Sequence, residues 1–240
     1  MKTQVIYEDE DILVVHKPAG IATQTARVGQ QDVVSELKNY LAKSKGTQPY
    51  LGIVHRLDQP VEGLLVFAKS KQSAAALAAQ LSGAAGDEST SLNKHYYGIF
   101  CGKTDKKEQE LVDHLYKDPS GRAVVSDSER ALKGQQAKRA VLRYRVLQEA
   151  EVNGILLSLA DIQIETGRFH QIRAQMAHGG MCLLGDLKYG NADSLAFSKQ
   201  LGVRYVALCA YEIEFLHPIK KEKMSFRIMP CEKVFSNFQL

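Results

Sequence analysis

The sequence contains no tryptophan, and its four cysteines stand far apart in a chain of 240 residues. None of them forms a CxxC pair, so neither a zinc knuckle nor a disulfide framework is expected, and a reducing cytoplasm is the compartment that fits them. No apolar run approaches the roughly 20 residues that a membrane span needs, so we expect no contact with a membrane.

Several signature motifs are also missing. The chain has no GxxxxGK[ST] loop, no GxSxG elbow, no HExxH helix and no GxGxxG between a strand and a helix. Such motifs hold nucleotide phosphates, a reactive serine, a catalytic zinc ion and a dinucleotide, respectively. We therefore expect none of the four corresponding chemistries, and no nucleotide cofactor.

The composition is that of a globular protein, with 45% hydrophobic and 24% charged residues and a formal net charge of +4. We find no internal repeat and no linker that would separate two domains, so residues 1–240 are expected to form one domain. The mild positive charge permits nucleic-acid binding without proving it, because the distribution of charge matters more than its total.

Hydrophobic spacing predicts an α+β chain with flanking helices around a mixed, largely antiparallel sheet. Residues 104–136 are polar and turn-rich, which predicts a mobile or inserted region. Helices are expected at 32–42, 71–81 and 171–178, and strands at 5–7, 12–16, 64–68, 96–101, 140–147, 155–164, 206–215 and 224–229.

The first stretch with chemical potential is His55-Arg56-Leu57-Asp58, in a turn bounded by Pro60 and Gly63 just before an apolar strand. Reactive polar groups are often found on loops that a rigid strand supports. The alternative is that Asp58 caps the turn and Arg56 pairs with it.

The second stretch runs from Glu165 to Arg173 and opens the predicted helix at 171–178. Because the helix dipole favours anions at this end, Arg168 and Arg173 are expected to serve a ligand or a carboxylate. Ile172 and Met176 would share the buried face of the helix. A solvated helix start is the alternative.

Together the two stretches resemble the pseudouridine synthases of the RluA type. The first family motif is matched by His55-Arg56-Leu57-Asp58 and by Gly63-Leu64-Leu65-Val66-Phe67-Ala68-Lys69. The second is matched by Gly167-Arg168, His170-Gln171-Ile172-Arg173, Gly180, Leu184-Gly185-Asp186 and Tyr189-Gly190. Further matches are Tyr7-Glu8-Asp9, Lys17-Pro18-Ala19-Gly20, Lys94-His95-Tyr96 and Gly102, in the order of the family.

This resemblance implies the pseudouridine synthase fold and an isomerase that converts specific uridines in rRNA or tRNA to pseudouridine. It implies Asp58 as the catalytic carboxylate, acting as a nucleophile or as a base, together with Tyr96 beside the target base and Arg173 as a basic residue that keeps Asp58 ionised. Arg56 would enter the space that the flipped-out base leaves. The other implied substrate contacts are His55, Arg168, His170, Gln171 and Leu184.

Residues 130–148 hold six basic side chains and no acidic one. In a strand, Arg139, Arg143 and Arg145 would point outward, while Ala140, Leu142, Tyr144 and Val146 would point inward. We expect this face, with Arg130, Lys133 and Lys138 nearby, to contact RNA phosphates. A merely solvated strand face is the alternative.

The main departure from the family pattern is Gln59-Pro60-Val61-Glu62, where the family usually has a charged pair followed by Thr-Ser or Thr-Thr. The change could alter substrate choice or the surroundings of Asp58. It leaves open a catalytically impaired RNA-binding or ribosome-assembly protein on the same scaffold, and a hydrolase that releases free base is a further alternative. We expect no metal, no organic cofactor, a monomer, and no S4-type RNA-binding domain ahead of the first motif.

Overall fold

The computed structural model describes residues 1–26, 29–45, 49–83, 91–126 and 136–240. Its strands are β1 (Gln4–Glu8), β2 (Ile12–Lys17), β3 (Gly52–Ile53), β4 (Glu62–Ala68), β5 (Asn93–Cys101), β6 (Glu108–Lys117), β7 (Ala123–Ser126), β8 (Lys138–Val152), β9 (Ile155–Ile164), β10 (Leu208–Leu216) and β11 (Lys223–Arg227). Its helices are α1 (Val33–Lys45), α2 (Lys71–Leu81), α3 (Gln171–His178), α4 (Ala192–Gln200) and a 3₁₀ helix at Lys233–Asn237.

The chain divides into two compact units, the first containing Met1–Lys94 with Ala210–Pro230 and the second His95–Cys209 with Cys231–Leu240. In the first unit the strand order is β1, β2, β4 and β10, with β3 beside β4 and β11 beside β10. In the second unit the order is β5, β9, β8, β6 and β7. A single catalytic domain over residues 1–240 stays a prediction.

Strands β2 and β4 form the centre of the first unit. Every residue of both strands is buried, and they pair antiparallel from Ile12 opposite Ala68 to Lys17 opposite Gly63. The apolar runs 12–15 and 64–68 inside these strands are typical of strands that are covered on both faces. Their side chains form a core with β10 and α2 that contains Ile12, Val14, Leu64, Val66, Ala68, Leu77, Leu92, Ile213 and Phe215.

The second unit is organised around the long hairpin of β8 and β9. The two strands pair antiparallel up to Val152 opposite Ile155, and the connection is Asn153-Gly154, with φ of 53° and 77°. An Asn-Gly pair favours this kind of turn because both residues tolerate positive φ. A smaller core cluster in this unit contains Leu115, Ala123, Ala140 and Ala174.

The predicted α+β class with a largely antiparallel sheet is confirmed. The pairs β1–β2, β2–β4, β3–β4, β5–β9, β6–β7, β6–β8, β8–β9 and β10–β11 are all antiparallel. Each predicted helix and strand corresponds to an observed one, within a few residues at its ends. Within the described ranges, no helix has the length and apolar character needed to cross a membrane.

The prediction for residues 104–136 is wrong in part. Strands β6 and β7 occupy much of this segment, and β6 pairs with β8 from Glu108 opposite Arg145 to Leu115 opposite Lys138. Leu115 is the one buried residue of β6, and the others are exposed or partly buried, which is compatible with a polar sequence. The strand forms because it pairs with a neighbouring strand, and composition does not reveal such pairing. Residues 127–135 lie outside the described residues.

Candidate functional site

Asp58 lies in the loop between β3 and β4 of the first unit. Its carbonyl oxygen accepts a hydrogen bond from the Val61 N–H at 3.1 Å, which closes a turn just before β4. Near the start of that strand, Gly63 has a φ of 139°, and a Cβ there would lie 2.5 Å from Ala210. Only glycine fits this close approach, which lets the start of β4 pack against Ala210. The loop that holds Asp58 is therefore supported by a buried strand.

The segment after β2 fixes the loop from the other side. The Thr23 hydroxyl donates to the Leu57 carbonyl at 2.9 Å and accepts from the Leu57 N–H at 3.1 Å. The Gly20 N–H donates to the Gln59 carbonyl at 2.8 Å, and the Gln59 amide donates to the Gly20 carbonyl at 3.1 Å. The residues on both sides of Asp58 are therefore tied to one segment, which restricts its position.

Lys17, the last residue of β2, is completely buried next to this loop. Its Nζ donates to the carbonyls of Pro18, Ile21 and Gln59 at 3.0, 2.8 and 3.3 Å. Burial lowers the pKa of Lys17 to about 7, and the carboxylates of Asp58 and Glu62 oppose that shift. The ammonium group therefore lies close enough to Asp58 for the two charges to interact.

The departure at Gln59-Pro60-Val61-Glu62 adds a buried carboxyl group to this region, where Asp58 itself is only partly buried. Glu62 is only 3% exposed, and its Oε2 lies 3.6 Å from the His16 Nε2. A threonine or serine at this position would carry no charge. In this chain, by contrast, the negative charge of Glu62 acts together with that of Asp58 to oppose the lowering of the Lys17 pKa.

The two residues before Leu57 point in different directions. His55 is buried, and its Nε2 accepts a hydrogen bond from the Val66 N–H at 3.2 Å. Burial, helped by the positive charge of Lys94, lowers the pKa of His55 to about 3, so this ring is neutral. Arg56 is exposed, and its Nη2 donates to the Gln24 Oε1 at 3.0 Å. Arg56 is thus accessible to a ligand, whereas His55 supports the strand.

Arg173 lies in the first turn of α3 in the second unit. It is buried, and its Nε and Nη2 donate to the two carboxylate oxygens of Asp186, each at 2.7 Å. Burial alone would raise the pKa of Asp186. The paired guanidinium and the N–H groups of Lys188 and Tyr189 outweigh burial and hold that pKa below its usual value. Arg173 does serve a carboxylate, as its position at the start of a helix predicts.

Two other candidate residues lie in the interior of the second unit. Tyr96 is on β5, opposite Ile162, and is 5% exposed. Leu184 is fully buried, and its backbone exchanges hydrogen bonds with Ile99 and Ala207. Their contacts with a substrate stay predictions.

Gln171 anchors the turn that leads into α3. It is buried, and its Oε1 accepts hydrogen bonds from the Thr166 hydroxyl at 2.8 Å and the Arg168 N–H at 2.9 Å. Its Nε2 donates to the Val141 carbonyl on β8 at 3.0 Å. The exposed Arg168 side chain donates from Nε to the Arg139 carbonyl at 2.9 Å. Gln171 therefore ties the turn to the sheet, and Arg168 and Arg139 are brought together.

His170 caps α3 in an unusual backbone conformation. Its φ is 51°, in the left-handed region that residues other than glycine seldom adopt. Its Nδ1 lies 2.8 Å from the Tyr189 hydroxyl, which also accepts the Ala123 N–H at 2.7 Å. The guanidinium of Arg173 stands 5.1 Å from the centre of the Tyr189 ring. His170 and Arg173 are thus linked through one tyrosine.

The arginines of β8 point outward as predicted, while Ala140, Leu142 and Tyr144 are buried. They do not form a purely basic surface. Arg143 makes ion pairs with Glu110 at 2.8 Å and Glu165 at 2.9 Å, and Arg145 lies opposite Glu108 and Asp161 in register. Arg130 and Lys133 lie outside the described residues. RNA binding by this face stays a prediction.

One group of possible metal ligands within the first unit was not predicted. Donor atoms of Asp9, Asp11 and His217 lie within 4.8 Å of one another. The His217 Nε2 bonds to Asp9 at 2.8 Å, and its Nδ1 accepts the N–H groups of Ile219 and Lys220. Because hydrogen bonds already occupy both nitrogens of the His217 ring, we interpret this group as a structural contact that joins the turn before β2 to the segment after β10.

The structure thus brings the sequence-predicted residues together in two sets, one in each unit. His55, Arg56 and Asp58 share the loop before β4, and Arg168, His170, Gln171 and Arg173 share the start of α3. Joint action of Asp58 with Tyr96 and Arg173 stays a prediction.

Sequence reasoning did not single out Lys17, Glu62 or Asp186 as site residues. Lys17 and Asp186 lie within the family motifs, and Glu62 lies within the departure from the first motif. Their positions in the sequence therefore marked them as residues close to the site. Their partners could not be read from spacing, because Lys17 and Gln59 are separated by 42 residues.

A family model described as RNA pseudouridylate synthase matches residues 11–178. A protein of Zymomonas mobilis named ribosomal large subunit pseudouridine synthase D is 33% identical over 236 residues, covering 93% of this chain and 68% of the relative. An RNA pseudouridine synthase of Bacillus subtilis, described as uncharacterized, is 33% identical over 218 residues, covering 91% of this chain. This chain spans 65% of the length of that second relative.

Two solved human structures have a similar fold. RNA pseudouridylate synthase domain containing 1 gives a TM-score of 0.73 at 18% identity and covers 95% of this chain and 83% of the other. RNA pseudouridylate synthase domain containing 4 gives a TM-score of 0.72 at 21% identity and covers 98% of this chain and 90% of the other. The predicted fold is confirmed by these two likenesses.

Proposed function

Since the chain belongs to the RNA pseudouridylate synthase family, we propose that it isomerises uridine in RNA to pseudouridine. Membership confirms the resemblance drawn from the motifs and the expectation of an enzyme family of the isomerase class. In the proposed reaction the bond between the ribose anomeric carbon and N1 of uracil breaks. The base then turns, the anomeric carbon bonds to C5, C5 loses its proton to water, and N1 takes up a proton, so that the product is an isomer of uridine.

Asp58 is the proposed catalytic carboxylate. It acts at the ribose, either as a nucleophile on the anomeric carbon or as a base for a neighbouring ribose proton. Both roles require a carboxylate that is ionised and firmly held. The observation that carries this proposal is the loop around Asp58, which hydrogen bonds tie on both sides to the segment after β2, with the buried Lys17 ammonium nearby.

Arg173 and Tyr96 are the other proposed catalytic residues. A guanidinium that is fixed by two hydrogen bonds to Asp186 can present its remaining N–H groups in one orientation, because its fork geometry is rigid. In the proposed site Arg173 stabilises the ionised Asp58, and Tyr96 lies beside the target uracil.

The target base must leave its stack, which costs a few kcal/mol, before the chemistry can occur. Arg56 is the side chain proposed to fill the vacated space, and its exposure supports this role. His55, Arg168, His170, Gln171 and Leu184 complete the proposed substrate contacts. We propose further that Arg139, Arg143 and Arg145 bind RNA phosphates, that no cofactor takes part, and that the protein acts as a monomer in the cytoplasm.

The name of the Zymomonas relative refers to the large ribosomal subunit, which favours ribosomal RNA over transfer RNA as the first substrate to test. The second candidate function is an RNA-binding protein without catalytic activity. One observation favours it: the buried Glu62 adds a negative charge that acts on Lys17 together with Asp58, and this changes the electrostatic surroundings of the proposed catalytic carboxylate.

The test uses ribosomal RNA and transfer RNA labelled with tritium at C5 of uridine, prepared from cells that lack this gene. Isomerisation releases that tritium to water. We expect release by the wild-type protein and a loss of at least about a thousand-fold for Asp58→Asn, since the amide cannot act as nucleophile or base. Asp105→Asn, an exposed change in a loop, is the matched control and should be as active as the wild type.

No release by the wild type, with RNA binding intact, would contradict the proposed activity and favour the binding protein. Release of free uracil in place of pseudouridine would identify a hydrolase. Equal release by Asp58→Asn would remove Asp58 from the mechanism.

A further inference from the structure

Phe169 is an exposed aromatic side chain at the start of α3 that no part of the proposed chemistry uses. It is 43% exposed, although phenylalanine is usually buried. It directly precedes His170, the residue with left-handed backbone that caps the helix. An exposed ring at a strained turn is a candidate for binding.

The ring of Phe169 is held in place by an ordered set of contacts. It stacks on the His170 ring with a centroid distance of 3.7 Å and an interplanar angle of 21°. The His170 ring meets Tyr189 edge-on at 90° and bonds to its hydroxyl at 2.8 Å. Because these contacts restrain the ring before any ligand binds, little side-chain entropy would be lost on binding.

One cation lies over this ring, and two arginines are exposed on segments close to it in the chain or linked to its contacts. The Lys117 Nζ lies 4.7 Å from the centre of the Phe169 ring. Arg122 and Arg168 are exposed on neighbouring segments, and Arg168 is bonded to the Arg139 carbonyl. Asp118 follows Lys117 in the chain, and its carboxylate accepts hydrogen bonds from the Ser120 hydroxyl and the Arg122 N–H. The Asp118 carboxylate is thus engaged within its own turn.

We propose that the Phe169 ring is a stacking surface for one unpaired base of the RNA, with Lys117 moving from the ring to a neighbouring phosphate. An aromatic ring among cations is the arrangement with which proteins bind single-stranded nucleic acid. An exposed cation over a ring contributes less than a stacked base, so the base can displace Lys117. This inference rests on the proposed function, because it takes RNA as the ligand.

The test measures binding of a fluorescent 12-nucleotide oligouridylate at several salt concentrations. Phe169→Leu should weaken binding about ten-fold, and Phe169→Tyr should retain it, because tyrosine also stacks. The slope of log Kd against log salt should not change in Phe169→Leu, whereas Lys117→Gln should reduce that slope by about one. Tyr205→Leu, which removes another exposed aromatic ring of the second unit, is the matched control and should bind like the wild type.

Wild-type binding by Phe169→Leu would overturn the stacking surface, and so would an equal loss in Tyr205→Leu. A measurement on the unmodified protein does not depend on how well a variant folds. Oligouridylate containing 5-iodouridine should crosslink under ultraviolet light to the peptide that holds Phe169, and crosslinks only to other peptides would also overturn the inference.

The proposed isomerisation and the proposed stacking surface can be refuted separately. A wild-type protein that releases no tritium but loses oligouridylate binding in Phe169→Leu would refute isomerisation and support the stacking surface. Full tritium release with unchanged binding in Phe169→Leu would support isomerisation and refute the surface.

Discussion

At the scale of single residues, Lys17 shows how a buried charge is accommodated near the candidate catalytic carboxylate. The side chain is fully buried, and three backbone carbonyls accept hydrogen bonds from its Nζ. A buried ammonium loses hydration, and hydrogen bonds and opposite charges compensate only in part. This is the physical reason for its lowered pKa.

Lys17→Met should reveal this burial as a pH-dependent stability difference. The pKa of Lys17 falls from 10.5 in the unfolded chain to about 7 in the folded protein. Between these values the unfolded chain keeps a proton that the folded protein has lost, so the wild type gains stability as the pH rises. Urea unfolding should show that the free energy of unfolding of the wild type, relative to that of the variant, is about 3 kcal/mol higher at pH 9.5 than at pH 6.5.

Lys71→Met serves as the matched control, because Lys71 is an exposed lysine at the start of α2. It should shift stability equally at both pH values. A difference between the wild type and Lys17→Met that is the same at pH 6.5 and 9.5 would contradict the prediction.

Residue types were easier to predict than residue partners. The motif comparison indicated Arg173 and Asp58, because charged residues in a fixed order carry information that spacing alone lacks. It could not indicate that Arg173 is fixed by Asp186, since a contact across 13 residues depends on how the loop after α3 returns to the helix. The same holds for Gln171, a predicted substrate contact whose side chain holds the turn to β8.

At the scale of elements, strong periodicity made most helices and strands predictable. Helix α2 was predicted to the residue from its alanine-rich sequence. The structure shows in addition that the Ser70 side chain caps its start. Helix α4 was not predicted, although Asn191 caps it with a hydrogen bond to the Ser194 N–H. The residues that it buries are Ser194 and Ser198, whereas Leu195 is exposed, so the helix lacks the apolar face that marks an amphipathic helix.

The outer face of β8 is expected to contact RNA phosphates through its exposed arginines. Arg143→Glu combined with Arg145→Glu should weaken RNA binding about ten-fold or more at low salt, because phosphate contacts and released counterions are lost. The effect should shrink as salt rises. Arg143→Glu alone should do less than Arg145→Glu alone, since Glu110 and Glu165 already neutralise Arg143.

Lys199→Glu, an exposed charge reversal near the end of α4, is the control for net charge and should bind more tightly than the double variant. Unchanged RNA binding by the double variant at low salt would show that these arginines only face solvent.

At the scale of the whole molecule, distant parts of the sequence meet in the first unit. Asp9, in the turn between β1 and β2, bonds to His217, which follows β10, across 208 residues. It also accepts hydrogen bonds from the Tyr7 hydroxyl and from the N–H groups of Asp11 and Ile12, and Lys69 donates to its carbonyl. No local pattern predicts such a junction, because loop closure brings it together only in the folded chain.

Asp9→Asn should make this junction measurable as acid sensitivity. Burial would raise the pKa of Asp9, but hydrogen bonds from Ile12, Asp11, His217 and Tyr7 outweigh burial and lower that pKa below 3.8. A carboxyl group with a lowered pKa contributes stability above about pH 4 and loses that contribution as the pH falls through the folded value. The free energy of unfolding of the variant should therefore be about 2 kcal/mol lower than that of the wild type at pH 7. In urea titrations the gap between the two curves should narrow progressively as the pH falls below about 4. Asp105→Asn, on an exposed loop, should follow the wild type throughout, and a gap for Asp9→Asn that stays constant down to pH 2 would show that the Asp9 charge does not stabilise the fold.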